Sequence, residues 1–447
     1  MNALANHIRT TFESQRYRFI RTLGHGASGV GVVFADLSSG GRRFVVKQVR
    51  SDEHDQLRRE IDTLQLLRWA EHIVDPVDLH DDNIAARLAA FGADPCLIME
   101  FLENGTMRSF LLRYRHDVIR RRLPSRFLWP IFLCRMASHQ LYELPLKDGY
   151  VSNTVNTVVK ACVAMAYPPG SEGDPEVPPA SVPRRLLTIH PSSLAHNDMH
   201  MDNLMFGNLH LSDPTSPTAP ARETAEHSLV PILKLIDFGE SLDVSSPPTA
   251  LDMRGREYDV EHGIVSAAMV DLTILDGHPN RRYLRELAAS EPTAPRGPSN
   301  YVYWRRNPGV DMNILAIGMV MARIISGDHN CGWPSCREDI TDPSIVNGTD
   351  PNLVKLVARC LAVDPANRPR LDHLLALVSG FNSTPELGFD PRGASTWTSP
   401  MDESEGAIAD IVRDYILNAD VPRVTTDDPV DDGPDDGTVD DPMIITS

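Results

Sequence analysis

The sequence predicts an α+β chain: a small β-rich part, then a larger and mainly helical part, then an acidic tail. Three observations carry this. Residues 17–50 alternate short apolar runs with glycine turns. Apolar residues recur at helical spacing in 54–68, 311–326, 351–363 and 370–381. From about residue 386 the chain is turn-rich and acidic, and "DDPVDDGPDDGTVDD" (427–441) holds too little apolar surface to fold.

The β-rich part reads as a meander. "YRFIRTL" (17–23) leads through "GHGASG" (24–29) to "VGVVFADL" (30–37), and the turn "SSGG" (38–41) leads to "RRFVVKQV" (42–49). In 54–68, Leu57, Ile61, Leu64 and Leu67 share one helical face. "PCLIMEFL" (95–102) reads as a buried strand closed by "ENG". A mostly helical region follows, broken by loops at 168–185 and 212–222. Residues 386–447 are expected to form a disordered tail, although "AIADIVRDYIL" (407–417) has the spacing of a short amphipathic helix.

Charge narrows the partners. Residues 401–447 hold 14 Asp and Glu against two Arg, a net of −12, so the first 400 residues carry only −6 of the total −18. Neither part offers a basic face for nucleic acid. The six cysteines are scattered, with only "CGWPSC" (331–336) closely spaced, which reads as unpaired thiols in a reducing compartment. The N-terminus lacks an apolar signal core, and the longest apolar run, "ILAIGMVMARII" (314–325), contains Arg323 and is short for a bilayer. A cytoplasmic or nuclear protein with no membrane partner is expected.

Four features follow one another in a fixed order. Gly24, Gly26 and Gly29 lie between two strands, where backbone N–H groups can approach phosphates without side-chain clash. Alone they equally fit a tight hairpin. Lys47 sits in the apolar strand "FVVKQV" and needs a counter-charge if buried; an exposed edge strand is the alternative. Glu60 lies beside Ile61 and Leu64 on the next helix, either as that counter-charge or as a solvated acid. Last come "HNDMHMDN" (196–203) and "LKLIDFGE" (233–240). Asp198, Asn203 and Asp237 are the acid, amide and second acid expected around magnesium and a hydroxyl nucleophile.

In this order the motifs resemble those of the protein kinase family, over residues 17–382. "NILAIGMVMARIISG" (313–327) and "CLAVDPANRP" (360–369) resemble the family's late helical segments. The resemblance implies a two-lobed fold, with an N-lobe at 17–101 and a C-lobe at 106–382, that uses ATP and Mg2+ on a protein substrate. It implies that Gly24, Gly26 and Gly29 cover the phosphates, and that Lys47 holds them and pairs with Glu60. Met99 would be the gatekeeper, with Glu100 to Leu102 as the adenine-binding hinge. Asp198 would accept the hydroxyl proton, Asn203 and Asp237 would hold magnesium, and Phe238 and Leu64 would stack with His196. A protein serine or threonine is the favoured acceptor; a small-molecule hydroxyl, or a scaffold that has lost catalysis, is the alternative.

The chain departs from the family pattern at several points. Asn197 stands where regulated kinases carry an Arg, and His200 where serine/threonine kinases carry a Lys near the γ-phosphate. His200 is therefore either a phosphate contact or a residue that orients the loop through Asp198 or a backbone group. Gly31 replaces a Val. Asn313 replaces the Asp that anchors the catalytic loop, with Asp311 as a nearby substitute. No Glu occurs from 292 to 310 to pair with Arg368. Residues 136–157 interrupt an expected helix, as a loop or as a gene-prediction artefact.

Overall fold

Helix α1 (Asn2–Phe12) and four antiparallel strands begin a mixed α+β fold: β1 (Tyr17–His25), β2 (Gly29–Asp36), β3 (Arg42–Val49) and β4 (Leu97–Glu100), paired in that order. The computed structural model describes residues 2–25, 29–79, 84–89, 91, 94–117, 122–133, 157–168, 191–209, 229–243, 307–328, 335–362, 367–371, 374 and 400–418. The turn between β2 and β3 needs its glycines: Gly40 and Gly41 take φ of 66° and 83°, which side chains resist. Asp36 holds this turn by accepting from the Ser38 N–H and from Arg16, and the Arg16 guanidinium keeps its carboxyl well below the usual range.

Register decides what each sheet face does. Phe34 opposes Phe19 and Phe44, and Val32 opposes Val46, so one face is aromatic and branched. Helix α1 covers that face, placing Ile8 and Phe12 at 0% exposure against Phe34, Phe44 and Phe91. Helix α1, which precedes the expected bound at residue 17, thus packs as one unit with the sheet. The opposite face carries Val33, Val45, Lys47 and Met99 and turns toward the helical part.

Between β3 and β4 run α2 (His54–Leu66) and a short α3 (Ile84–Ala89). After β4 come α4 (Met107–Asp117), α5 (Ser125–Leu133) and α6 (Thr157–Ala166). Two small antiparallel pairs follow: β5 (Leu194–Ala195) with β8 (Leu242–Asp243), and β6 (Leu204–Phe206) with β7 (Leu233–Leu235). Next come α7 (Pro308–Ser326), α8 (Ser335–Thr341), α9 (Pro343–Val346), α10 (Pro351–Cys360) and α11 (Glu405–Val412), which continues as a π-turn over Arg413–Leu417. Residues 134–156, the loop at 169–190 and most of the expected helix at 370–381 lie outside the described residues.

Helix α7 starts and stops on strong signals. The Asn307 side chain caps the Val310 N–H, Pro308 occupies the first turn, and Gly327 ends the helix at φ 85°. Its stretch Gly309–Ser326 is long and apolar enough to cross a membrane on length and hydropathy alone. Here Leu315, Ile317, Val320 and Met321 are core residues of the helical part.

The expected disordered tail needs correction. Residues 400–418 fold onto the body, with Ile408, Val412 and Ile416 fully buried in the main core. The Glu403 carboxylate accepts from the Ser125 and Arg126 N–H groups at 2.9 and 2.7 Å, satisfying the free donors that begin α5. Arg113 donates to the Tyr415 carbonyl at 3.0 Å, and Tyr415 meets Tyr114 edge-on.

Candidate active site

Lys47 is on an inner strand, not an exposed edge, since β3 pairs with both β2 and β4. Its ammonium lies 2.8 Å from Glu60 and 3.0 Å from Asp237. Glu60 is not a solvated helix acid; it is 1% exposed, beside the core residues Leu57 and Leu64 of α2. Burial opposes the Lys47 charge, but Asp237 and Glu60 outweigh it and raise the lysine pKa. Lys47 in turn holds the Asp237 carboxyl below its ordinary value. Burial pushes Glu60 up to about 7, against the pull of Lys47.

Two strand pairs deliver the other groups. Leu204 opposes Leu235, and the Ile236 N–H donates to the Asn203 carbonyl at 2.9 Å, so Asn203 and Asp237 arrive side by side. The Asn203 amide nitrogen donates to both the carbonyl and the carboxylate of Asp198, at 2.8 and 3.0 Å. Asn197 and Asp237 sit at φ 64° and 61°, a left-handed conformation that Asn and Asp tolerate better than most residues. Such strain persists where the surroundings fix it, and here the flanking residues are held by buried bonds.

His196 anchors the loop. Its ring nitrogen contacts the Ile236 carbonyl at 3.0 Å, and the ring meets Phe238 at 4.6 Å between centroids. Leu64 and Phe238 are both fully buried in the same core. Burial lowers the His196 pKa, so the ring is an uncharged packing element. Asn313 is not a missing anchor. Its Oδ1 accepts the His196 N–H at 3.0 Å and its Nδ2 donates to the Leu194 carbonyl at 2.9 Å, so no substitution by Asp311 is needed. Arg368, expected to lack an acid partner, donates to the backbone carbonyls of Ala362 and Asp311.

His200 faces inward along the loop. Its Nδ1 accepts from the Asp202 N–H at 3.2 Å, capping the 3-10 turn Met201–Asn203, and its Nε2 lies 3.4 Å from Asp198 Oδ2. Burial lowers its pKa, but Asp198, Asp202 and Asp237 outweigh this and raise it.

The glycine segment is described in part. Gly24 lies in β1 and Gly29 opens β2, while Gly26 is outside the described residues. A Cβ on Gly29 would fall 2.5 Å from the Gln48 carbonyl oxygen, so the close approach to β3 demands glycine there. Met99 lies opposite Val45 on the Lys47 face, and Leu102 is buried. The Glu100 side chain is already engaged, accepting from Lys234 at 2.5 Å and from the Asp75 N–H at 2.8 Å.

Sequence reasoning missed the ties between α2 and the stretch after Asp237. Gln56 donates to Glu240 at 2.7 Å, and Thr63 shares a hydrogen bond with Ser241 at 3.1 Å. Gln56, Thr63 and Ser241 carried no motif; only the places of Gln56 and Thr63 on the Glu60 helix, and of Glu240 and Ser241 just after Asp237, could have suggested these ties. Among the described residues no group of three or more His, Cys, Asp and Glu forms a metal cage. No protein-family model matches the chain, and no curated protein matches it either.

Proposed function

We propose that the chain is a magnesium- and ATP-dependent phosphotransferase of the two-lobed, protein-kinase-like kind. Its lobes would be 17–101, with α1 packed on the first, and 106–382, with residues 400–418 packed on the second; a protein serine or threonine hydroxyl is the favoured acceptor. The observation that carries this reading is Lys47 held between Glu60 and Asp237, at 2.8 and 3.0 Å. A charged lysine so fixed is positioned to bind phosphate oxygens, and the Asp198–Asn203 pair lies on the loop that strand pairing sets beside it.

The donor set suits magnesium. Asn203 turns its amide nitrogen to Asp198, which leaves its amide oxygen for a hard cation, and Asp237 adds a carboxylate. Magnesium is commonly held by one or two such oxygens together with substrate phosphates, so a closed protein cage is not required. When bound, the ion would offset charge on the phosphates. In this reading Asp198 accepts the proton of the acceptor hydroxyl. That oxygen bonds to the γ-phosphorus as the bond to the β–γ bridging oxygen breaks and ADP leaves.

A scaffold without catalysis is less favoured, because Lys47, Glu60 and Asp237 are bonded together and Asn313 holds the loop. One observation favours a small-molecule acceptor instead: His200, a short side chain, is folded back on Asp198 and Asp202 where serine/threonine kinases carry a longer lysine. The deciding experiment is transfer of labelled γ-phosphate from Mg-ATP to a panel of peptides and metabolites, with Asp198→Asn as control. Label in peptides that the control abolishes supports the reading. Label only in metabolites favours the small-molecule acceptor, and no Asp198-dependent label in either rejects phosphotransfer.

A further inference from the structure

We propose that Arg18, Arg21 and Arg43 form a docking surface for the chain's own acidic segment, residues 427–441. Register places all three on one face of the sheet. Arg18 and Arg43 both oppose Ala35, and Arg21 opposes Val33, so they share the face that carries Lys47. Arg21 and Arg43 converge on one ring, with guanidinium carbons 5.9 and 5.0 Å from the centroid of Phe101. Arg43 also pairs with Glu103, yet its side chain remains 43% exposed.

Charge makes this row unusual. The chain has 61 Asp and Glu against 43 Lys and Arg, and Arg16, Arg43 and Lys47 each pair with an acid beside the sheet. Arg18 and Arg21 are exposed, and neither makes an ion pair or hydrogen bond among the described residues. Two unpaired guanidiniums beside a third, one of them steadied on an aromatic face, suit a carboxylate-rich extended segment.

The chain supplies such a segment within reach. Residues 427–441 contain eight aspartates and no Lys or Arg. Tyr415 is fixed beside Arg113 of α4, and α4 begins six residues after Phe101. From Arg113 back to Phe101 the path is at most about 30 Å, allowing 1.5 Å per helical residue and about 3.4 Å per extended one. Eight residues lie between Asn418 and Asp427, nine Cα–Cα steps with an extended reach of about 30 Å, and the acidic run continues beyond it. A tethered segment also enjoys an effective concentration that a separate partner lacks. The proposal stands independently of phosphotransfer.

The test uses full-length chains and a fluorescein-labelled peptide of residues 419–447. One chain is natural; the other has the eight aspartates of 427–441 changed to Asn. Anisotropy at about 50 mM salt, where surface charges are weakly screened, should show binding to the neutralised chain. Binding to the natural chain should be at least about tenfold weaker, because its own segment competes. Arg18→Gln with Arg21→Gln in the neutralised chain should reduce binding at least about tenfold, with an unchanged melting temperature showing an intact fold. Equal affinity for the natural and neutralised chains would overturn self-docking and leave a surface for an acidic segment of another protein. Binding indifferent to the arginine changes, or no binding at all, would overturn the surface itself.

Discussion

Asn313 holds His196 by its backbone: the Asn313 Oδ1 accepts the His196 N–H at 3.0 Å, while its Nδ2 donates to the Leu194 carbonyl at 2.9 Å. Both bonds are buried, and Asn313 is 2% exposed. An aspartate could accept from His196 but has no donor for Leu194, and its charge would face that carbonyl. Asn313→Asp should therefore cost stability, as Asn313→Ala should, by about 1–3 kcal/mol, the usual penalty for a buried group left without its partner. Urea denaturation of the three chains checks this. An Asn313→Asp chain as stable as the natural one would show that the Leu194 bond contributes nothing.

Glu60 makes the fold less stable as pH rises. Burial raises its folded pKa from 4.5 to about 7, so the folded state binds this proton more tightly than the unfolded state. Its contribution to stability is fully present below about 4.5 and is lost as pH rises through about 7. Phosphotransfer should move the other way, because only ionised Glu60 pairs fully with Lys47. Glu60→Gln should flatten both slopes, read by denaturation and by a pH–rate profile. Lys47→Met should cut the rate at least about a hundredfold, or ~2.7 kcal/mol of barrier. A rate for Lys47→Met within a few-fold of the natural chain would remove the lysine from the proposed chemistry.

The C-terminal segment separates two truncations. Ending the chain after residue 399 removes Ile408, Val412 and Ile416 from the core and leaves the first N–H groups of α5 without Glu403. Each lost aliphatic contact is worth about 1.5–3 kcal/mol of burial, so the melting temperature should fall by several degrees. Ending it after Asn418 keeps all of these contacts and should leave melting nearly unchanged. Equal melting of both truncations would mean that the segment adds nothing to the fold.

Strand and helix existence was legible because period carries it: β1 to β3, α2, α7 and α10 follow alternation or a 3.6-residue stripe with strong punctuation. Lys47, Glu60, Asp198, Asn203 and Asp237 were legible as residue types in a fixed order, and the structure joins them in two bonded groups. What failed depended on burial that no local pattern announces. Helix α1 has Ala5, Ile8 and Phe12 on one face, but that face has meaning only once the sheet needs covering. Residues 400–418 sit in an acidic stretch whose average charge masks three apolar side chains at four-residue spacing. Asn313 stood out as a departure from the family's Asp because only the fold brings the His196 N–H and the Leu194 carbonyl to one amide that accepts and donates at once.

His200 links the 3-10 turn Met201–Asn203 to Asp198. Its Nδ1 accepts the Asp202 N–H at 3.2 Å, so in the neutral ring the proton sits on Nε2, 3.4 Å from Asp198 Oδ2. The ring thus caps the turn that carries Asn203 and faces the proposed base. Although burial opposes it, the surrounding carboxylates raise its pKa, so its charge contributes below the ordinary value of 6.5 and is lost as pH rises through the higher folded value. If orientation is its task, a side chain that can cap should replace it: Asn accepts a backbone N–H at a helix start, and Lys cannot. His200→Asn should then retain most of the activity, while His200→Ala and His200→Lys lose about tenfold, or ~1.4 kcal/mol. If the cation itself contacts the phosphate, the order reverses. His200→Lys would stay active with a flatter decline above neutral pH, and His200→Asn would fail with His200→Ala. Rates of the three variants across pH 6 to 9 decide it, and an active Lys variant beside an inactive Asn variant would overturn the orienting role.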